Sequence, residues 1–293
     1  KRVVTDRGTH EAEVLVVALG ADLDVGATPG LIECGQEFYT PEGAARLATT
    51  LSTFERGNVI IGVLGGFFKC PPAPYETAFM LHDELFRRGV LKDCTITIVT
   101  PMPAPIPISQ DVSTAILAHC DDRNIGHFHA TGVERLEPVE RVAVLRDGRR
   151  LSFDLFLAVP VHKAPQVVID SGLTDDGWIA VDRATLATKF PDVYAIGDVT
   201  SAPVPRAGVI AEGEASTVAD VLLHRLGGGP KPKPFAGEVI CYVEMGDGYI
   251  GKVNVNFLSG PAPVAHYTPP SRQAAEEKRQ FAAVRRARWF SAS

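Results

Sequence analysis

Cysteine is the residue type in this sequence with the widest range of chemistry, because its thiolate can act as a nucleophile, a metal ligand or a redox partner. The chain contains five cysteines: Cys34, Cys70, Cys94, Cys120 and Cys241. Their spacing includes no CxxC pair and no metal-type cluster, which argues against a zinc site. Cys94 begins a strand-like segment and Cys120 lies near the end of a helix-like one, where a cysteine usually serves as a small buried hydrophobic residue. Cys70 and Cys241 lie in less usual surroundings and are the candidates for chemistry.

Cys70 lies in the segment GGFFKCPPAPYETAFML, which begins like a phosphate-binding loop. A strand-like run, NVIIGVL, precedes the paired glycines Gly65 and Gly66, and a helix-like run follows. A dinucleotide site would carry G-x-G-x-x-G here, but Lys69, Cys70 and three prolines take the place of the later glycines. The segment therefore predicts a strand-to-helix crossover that holds no pyrophosphate. Lys69 and the following helix start both favour a thiolate, so we expect a depressed pKa for Cys70.

The segment FPDVYAIGDVT carries the most information in the sequence. An apolar strand ends at Gly197 and Asp198, and a helix begins about ten residues later, near Ala207 and Gly208. Flavoproteins with two dinucleotide folds have this arrangement: the Asp carboxylate accepts hydrogen bonds from cofactor hydroxyl groups, and the glycine permits close approach. The free N–H groups at the helix start would face the electron-rich end of the flavin ring. We therefore predict FAD as the cofactor.

Length, composition and charge are those of a well-packed protein with no sign of a nucleic-acid partner. The 293 residues suffice for two domains, and 45% of them are hydrophobic. The net charge is −6, and no apolar run approaches the roughly 18 residues of a membrane-spanning helix. The order strand, helix, strand, helix and then a group of strands predicts a doubly wound parallel sheet with a β-meander.

The expected fold class is α/β, with two Rossmann-like domains of the glutathione-reductase type and a small C-terminal region of strands and a helix. The first domain is expected to be incomplete, because no G-x-G-x-x-G fold precedes VLVVALGA, the strand that ends at Gly20. Gly20 and Pro160 are expected beside the cofactor. The expected division places the remainder of the FAD-binding domain at residues 1–30 and 160–230, the second Rossmann-like domain at 31–159, and the C-terminal region at 235–293.

These segments together resemble the sulfide:quinone oxidoreductase and flavocytochrome c sulfide dehydrogenase branch of the pyridine nucleotide-disulfide oxidoreductase superfamily. The resemblance is carried by VLVVALGA, FKCPPAPYETAFMLHDELFRRG, AVPVHKAPQVV, GWIAVDRATLATKFPDVYAIGDVT and EVICYVEMGDGYIG. It implies that Cys70 and Cys241 form a redox pair whose sulfurs bridge directly or through added sulfur. It also implies that sulfide, or a related small sulfur donor, attacks this bridge and that electrons pass through FAD to a quinone or a cytochrome.

The chain departs from this branch at two positions. Many members carry a third cysteine ahead of a threonine and a helix, whereas the stretch FYTPEGA places Tyr39 there, with Cys34 five residues earlier. The resemblance therefore supports a mechanism with two cysteines and leaves the role of Cys34 open. Many relatives also have a lysine near the helix start where this chain has Arg206, and the resemblance implies that this cation stabilises reduced flavin.

Two side chains and the tail helix each allow two interpretations. Glu76 follows the cysteine loop and either relays protons or is only an acid that suits a helix N-terminus. His162, in PVHKAP, lies either near the flavin or in a loop that faces water. The tail, residues 269–290, is expected to form one helix. This helix, which contains Arg285 and Trp289, either makes a peripheral membrane contact or packs on the protein surface.

The remaining expectations concern location, assembly and competing functions. We expect a cytoplasmic protein, peripheral at the cytoplasmic membrane, that forms a homodimer. One alternative function is an NADH:quinone dehydrogenase of related fold, which would need the pyrophosphate glycines that the crossover lacks. The other alternative is an inactive, flavin-free fragment.

Overall fold

The computed structural model describes residues 1–258 and 260–290 and shows a mixed α/β fold. The strands are β1 (Arg2–Thr5), β2 (Gly8–Glu11), β3 (Leu15–Val17), β4 (Asp22–Asp24), β5 (Gly35–Glu37), β6 (Gly57–Val63), β7 (Cys94–Val99), β8 (Gly126–Phe128), β9 (Val133–Glu137), β10 (Val142–Leu145), β11 (Arg150–Ser152), β12 (Leu155–Val159), β13 (Val161–Lys163), β14 (Val193–Ala195), β15 (Glu238–Glu244), β16 (Ile250–Asn256) and β17 (Val264–Ser271). The helices are α1 (Leu31–Cys34), α2 (Pro41–Thr53), α3 (Ala73–Arg87), α4 (Gln110–Asp122), α5 (Gln166–Asp170), α6 (Gly208–Arg225) and α7 (Arg272–Phe290).

A five-stranded parallel sheet forms the centre of the fold, with the strand order β5-β12-β6-β7-β8. Val59 and Ile61 of β6 and Leu157 of β12 are fully buried. Continuous apolar runs suit these inner strands because both faces of a parallel sheet are covered. The predicted α/β class with a Rossmann-type sheet is confirmed. All five strands lie within residues 31–159, although the exact domain boundaries stay a prediction.

Different layers cover the two faces of this sheet. Helices α2, α3 and α4 pack on one face through Leu47, Phe79 and Ile116. The antiparallel strands β9, β10 and β11 cover the other face, where Leu136 and Leu145 contribute to a second apolar cluster. The predicted β-meander is therefore present, and the crossovers at the carboxyl ends of the parallel strands are in the usual place for a ligand site.

Segments that are distant in sequence pair to form the flavin-type part of the fold. Strand β3 lies parallel to β14, and β4 lies antiparallel to β13. Strand β14 leads into the turn at Gly197 and Asp198, and α6 begins at Gly208, as the sequence predicts. This pairing places the turn, β13 and the loop before β4 in one region.

Three antiparallel strands and α7 form the C-terminal part. The turn Gly246–Gly248 joins β15 to β16, and all three of its residues have positive φ angles. Strand β17 was not predicted: Pro269 and Pro270 were assigned to the tail helix, but they belong to this strand, and α7 begins at Arg272. Proline is tolerated there because β17 is an edge strand, on which one row of N–H groups needs no partner.

Helix α7 packs on the protein surface. Lys278 pairs with Glu244 at 2.6 Å, and Arg285 pairs with Glu212 of α6 at 2.8 Å. These contacts support the interpretation of the tail as a surface-packed helix, while a membrane contact stays a prediction. Among the residues that the structure describes, no helix has the length and apolar character needed to cross a bilayer.

Candidate active site

Cys70 lies in the crossover between β6 and α3, at the carboxyl end of the parallel sheet. The residue is exposed, and its φ angle of 55° lies in the left-handed region that residues other than glycine seldom adopt. Its carbonyl accepts a hydrogen bond from the Ala73 N–H at 2.9 Å, where α3 begins. Its thiol donates to Glu76 Oε2 over 3.8 Å. The crossover thus presents the thiol beside a carboxyl group in the first turns of the helix.

Glu76 connects this loop to the C-terminal strands. Its Oε1 accepts a hydrogen bond from the Glu244 N–H at 2.9 Å, at the end of β15. Cys241 lies on the same strand and is half-buried. The charge of Glu76 acts on both thiols, and the charge of Cys241 acts on Cys70. The structure therefore brings Cys70, Glu76 and Cys241 together, with both thiols free, while a bridge between the two sulfurs stays a prediction.

The pKa of Cys70 is raised to about 12, so the sequence-based prediction of a depressed pKa is wrong. Although the residue as a whole is exposed, the protein surrounds its thiol closely enough that burial is the largest cause. The charges of Glu76 and Cys241 act in the same direction. Lys69, the expected stabilising cation, directs its Nζ to the Ala21 carbonyl at 3.4 Å. Burial and a nearby carboxylate thus outweigh the cation adjacent in sequence.

The other members of this cluster also favour their neutral forms. Burial, followed by the charge of Glu76, raises the pKa of Cys241 to about 11. Burial raises the pKa of Glu76, while the Glu244 N–H and the Lys278 charge lower it. Both thiols therefore hold their protons at neutral pH, and a thiolate forms only when a neighbouring group accepts the proton. Glu76 is within reach of the Cys70 thiol and is the candidate acceptor.

The cysteine loop meets the predicted flavin segment at Arg206. The Cys70 N–H donates to the Arg206 carbonyl at 3.0 Å, and Arg206 Nε donates to the Asp198 carbonyl at 3.0 Å. The guanidinium lies over the Trp178 ring, 3.8 Å from its centroid. Burial raises the pKa of the Asp198 carboxyl, and the charges of Lys69 and Arg206 oppose this effect. Two predicted cofactor residues thus lie beside the candidate thiol.

The turn before α6 and the start of this helix fit a flavin cofactor. Gly197 has a φ of 73°, and a Cβ there would lie 3.2 Å from a side chain of α6. Ala207 begins the helix without a side-chain cap, and Gly208 has open space where a Cβ would lie. Within the described part of the chain, the Asp198 carboxylate accepts no hydrogen bond. Uncapped helix N–H groups, the open space at Gly208 and a carboxylate with free acceptors suit a flavin ring and its hydroxyl groups.

Gly20 and Pro160 lie in two loops that join the same region. Gly20 has a φ of 69°, and the carbonyl of the next residue, Ala21, accepts a hydrogen bond from the Lys69 ammonium group. The Pro160 carbonyl accepts a hydrogen bond from His162 Nδ1 at 2.9 Å. His162 is only 6% exposed, so the interpretation as a histidine that faces water is wrong. Its burial depends on the pairing of β13 with β4, which the local sequence does not reveal.

Glu214 is a candidate residue that sequence reasoning missed. Its side chain is fully buried in α6, and its Oε2 accepts a hydrogen bond from the Gly197 N–H. Burial raises its pKa to about 7, and the nearby Asp198 acts in the same direction. The available signal was an acid among apolar residues of a helix that follows the glycine-aspartate motif. This carboxyl group fixes the turn that carries Asp198.

Comparison with known proteins finds relatives along most of the chain. The family model of the pyridine nucleotide-disulphide oxidoreductases matches residues 1–217. A mitochondrial sulfide:quinone oxidoreductase from Schizosaccharomyces pombe is 29% identical over 244 residues, which cover 77% of this chain and 52% of that protein. A sulfide-quinone reductase from Aquifex aeolicus is 26% identical over 273 residues, which cover 84% of this chain and 62% of that protein. The chain thus spans between half and two thirds of the length of these relatives.

A solved structure shows the same fold. The X-ray structure of the sulfide:quinone oxidoreductase from Aquifex aeolicus has a TM-score of 0.82 at 21% sequence identity, and the match covers 97% of this chain and 70% of that chain. This match confirms the predicted fold, and both curated relatives above are sulfide:quinone oxidoreductases, in agreement with the resemblance that the sequence shows.

Proposed function

This chain belongs to the pyridine nucleotide-disulphide oxidoreductase family, and we propose that it is part of a flavoenzyme that oxidises sulfide and reduces a quinone. The observation that carries this proposal is the cluster of Cys70, Glu76 and Cys241 beside Asp198 and Arg206. Two thiols that share a carboxyl group suit thiol–disulfide exchange. An NADH site would instead need a glycine-rich crossover, which this sequence lacks.

The proposed reaction begins from the oxidised pair, in which a disulfide, direct or extended by added sulfur, joins Cys70 and Cys241. Sulfide, as HS⁻, bonds to one sulfur of the bridge and breaks an S–S bond. The attacked cysteine then carries a persulfide, and the other leaves as a thiolate with the electron pair of the broken bond. Cys70 is the better candidate for that thiolate, because its backbone contacts Arg206 at the flavin segment. Cys241 would then carry the persulfide.

The raised pKa of Cys70 suits this role. Burial and the charge of Glu76 disfavour the Cys70 thiolate, so this thiolate is a strong electron donor to a neighbouring acceptor. When a proton has to leave the Cys70 thiol, Glu76 is the group in reach to accept it, and burial raises the pKa of this carboxyl, which favours its protonated form. Glu76 would therefore act as a proton relay between the two cysteines.

The cofactor residues would act beside Cys70, where its N–H donates to the Arg206 carbonyl. Bound FAD would supply a two-electron acceptor for onward transfer to the quinone. As the Cys70 thiolate gives up its electron pair, its sulfur would bond to the outer sulfur of the Cys241 persulfide, which loses its proton, so that the bridge re-forms with one more sulfur atom. The carboxylate of Asp198 would hold cofactor hydroxyl groups, and the N–H groups at Ala207 and Gly208 would favour negative charge on the ring. Arg206 would add a fixed cation, while Gly20 and Pro160 would shape the neighbouring loops.

Other features of the proposal rest on the sequence alone. A cytochrome as acceptor, a homodimer and a cytoplasmic location at the membrane stay predictions. A peripheral membrane contact has some support in α7, where Trp289 and Phe290 are exposed next to Arg288.

The variant Cys70→Ser tests the proposed function in the cofactor-loaded protein. We expect it to abolish the bleaching of flavin absorbance by sulfide, because the electron-donating thiolate is lost. Cys94→Ser is the control, since Cys94 lies at the start of β7, where its thiol donates to the Glu55 carbonyl, and its loss should leave bleaching unchanged. Stopped-flow absorbance measures both. Bleaching of Cys70→Ser at the wild-type rate would refute the proposal, and rapid bleaching by NADH would favour the dehydrogenase alternative.

A further inference from the structure

Cys70 has a backbone conformation that the surrounding structure must enforce. A left-handed φ is unfavourable for a residue with a Cβ and persists only where neighbouring contacts fix it. Gly65 and Gly66, which could adopt such angles freely, do not, so this crossover places its positive φ on the cysteine. One fixing contact is the bond from the Cys70 N–H to the Arg206 carbonyl, and the others come from the preceding residue.

The backbone of Lys69 is held on both sides by side chains from distant segments. The Tyr39 hydroxyl, just before α2, donates to the Lys69 carbonyl at 2.9 Å. The Lys69 N–H donates to Nε2 of His162, in β13, at 3.4 Å. The two rings also meet edge to face, with centroids 5.4 Å apart. Tyr39 and His162 thus form a pair that hydrogen-bonds both backbone groups of Lys69, the residue before Cys70.

The contacts of His162 require one protonation state and one tautomer. The Lys69 N–H can only donate, so Nε2 must accept, and the Pro160 carbonyl can only accept, so Nδ1 must carry the hydrogen. Burial lowers the pKa of this ring to about 4, and the charges of Lys69 and Arg206 act in the same direction. The ring is therefore neutral at physiological pH, and its acceptor is available to the loop.

We propose that Tyr39 and His162 are positioning residues for the sulfur chemistry: they fix the Lys69 backbone and thereby hold Cys70 in its left-handed conformation with its thiol beside Glu76. This inference rests on the proposed role of Cys70, but it is tested without sulfide. Tyr39 and His162 contact the Lys69 backbone rather than the Cys70 sulfur, so they act through the loop and take no part in the reaction itself.

Loss of the Tyr39 and His162 contacts with Lys69 should change the reactivity of the Cys70 thiol more than the stability of the fold. The titratable groups that face Cys70 are Glu76 on α3, Cys241 on β15 and Tyr39 itself. A loosened loop would admit water to the thiol and move it away from the Glu76 carboxylate. Both changes ease thiolate formation, so Cys70 should react faster with an alkylating reagent and at lower pH.

The test is the rate at which iodoacetamide alkylates Cys70 in the cofactor-loaded protein, followed by mass spectrometry between about pH 6 and pH 10. Tyr39→Phe removes one hydroxyl, His162→Leu removes both ring nitrogens, and His162→Gln keeps an acceptor for the Lys69 N–H. We expect roughly threefold to tenfold faster alkylation at neutral pH in Tyr39→Phe and His162→Leu, with His162→Gln closer to the wild type.

Tyr75→Phe is the matched control, because it removes another buried tyrosine hydroxyl, one that binds His129 Nε2 at 2.8 Å. Its Cys70 profile should equal that of the wild type. An unchanged profile in both Tyr39→Phe and His162→Leu would overturn the proposal. Alkylation of the buried Cys120 in step with Cys70 would overturn it too, since that result shows general loosening. Neither outcome affects the sulfide test of Cys70→Ser, so the two claims fail separately.

Discussion

Cys70, Glu76 and Cys241 lie together in surroundings that disfavour charge. Burial is the largest cause of the raised pKa of each group, and Glu76 raises the pKa of both thiols further. Thiolate therefore accumulates only as the pH rises towards about 12 for Cys70 and about 11 for Cys241. A thiolate released at neutral pH by cleavage of a bridge would consequently be short-lived and would pass on its electron pair or take up a proton.

Glu76→Gln tests both the effect of the Glu76 charge on the pKa of Cys70 and the role of Glu76 as a proton acceptor. Alkylation of Cys70 should shift to lower pH, because the variant removes the carboxylate whose charge raises the thiol pKa. Bleaching of the flavin by sulfide should nevertheless become at least about tenfold slower, because the amide cannot accept a proton. Iodoacetamide labelling against pH and stopped-flow absorbance on one preparation measure the two effects.

The control for this variant is Glu84→Gln on the same helix. Glu84 forms a surface ion pair with Arg87 and should leave both the labelling profile and the bleaching rate at wild-type values. A shift of the Glu76→Gln labelling profile to higher pH would contradict the charge effect assigned to Glu76.

For single residues, the sequence indicates which side chains belong to the site but not the surroundings that set their pKa values and contacts. Cys70, Cys241 and the Gly197–Asp198 turn stand out by residue type and local pattern. The pKa of Cys70 could not be predicted, because the cation next to it in sequence is visible whereas burial is a consequence of folding. Tyr39 and His162 were named, but their contacts depend on segments that meet only in the folded chain.

Among the elements, α3 links the parallel sheet to the C-terminal strands. Phe79 and Leu85 are fully buried in a cluster that includes sheet residues together with Val243 of β15 and Val253 of β16. This packing brings the first turns of α3 to the end of β15, where Glu76 accepts its hydrogen bond from the Glu244 N–H. The cysteine cluster therefore depends on the docking of one helix.

Phe79→Ala is expected to lower the free energy of unfolding by about 3–5 kcal/mol, because it leaves a cavity between α3 and the sheet. Met80→Ala, at the adjacent and 56% exposed position, should change it by less than about 1 kcal/mol. Urea unfolding of both variants measures the difference. Equal costs for the two substitutions would contradict the assigned packing face of α3.

Most elements followed from local patterns. Thr40 caps α2 through its hydroxyl, which accepts from the Gly43 N–H, and Pro41 opens the helix; both residue types suit these positions. The β-branched runs of the parallel sheet were equally clear. Strand β17 was missed because Pro269 and Pro270 are unusual in strands, and their position on a sheet edge is a tertiary fact.

At the scale of the whole molecule, the candidate site is assembled from segments that span most of the chain. The residues around Cys70 come from the crossover, from β13, from the turn before α6 and from β15. Periodicity and composition could not bring Cys70 and Cys241 together, and only the family resemblance predicted their pairing. The structure places both near Glu76, while their pairing stays a prediction.

The pairing of Cys70 with Cys241 is tested most directly by peptide mapping of the oxidised, cofactor-loaded protein under non-reducing conditions. We expect a cross-linked species that joins the peptide of Cys70 to the peptide of Cys241, directly or with the added mass of further sulfur atoms, and that reduction abolishes. If both cysteines are found separately alkylated, or if either is linked to Cys34, the two residues are not the redox pair.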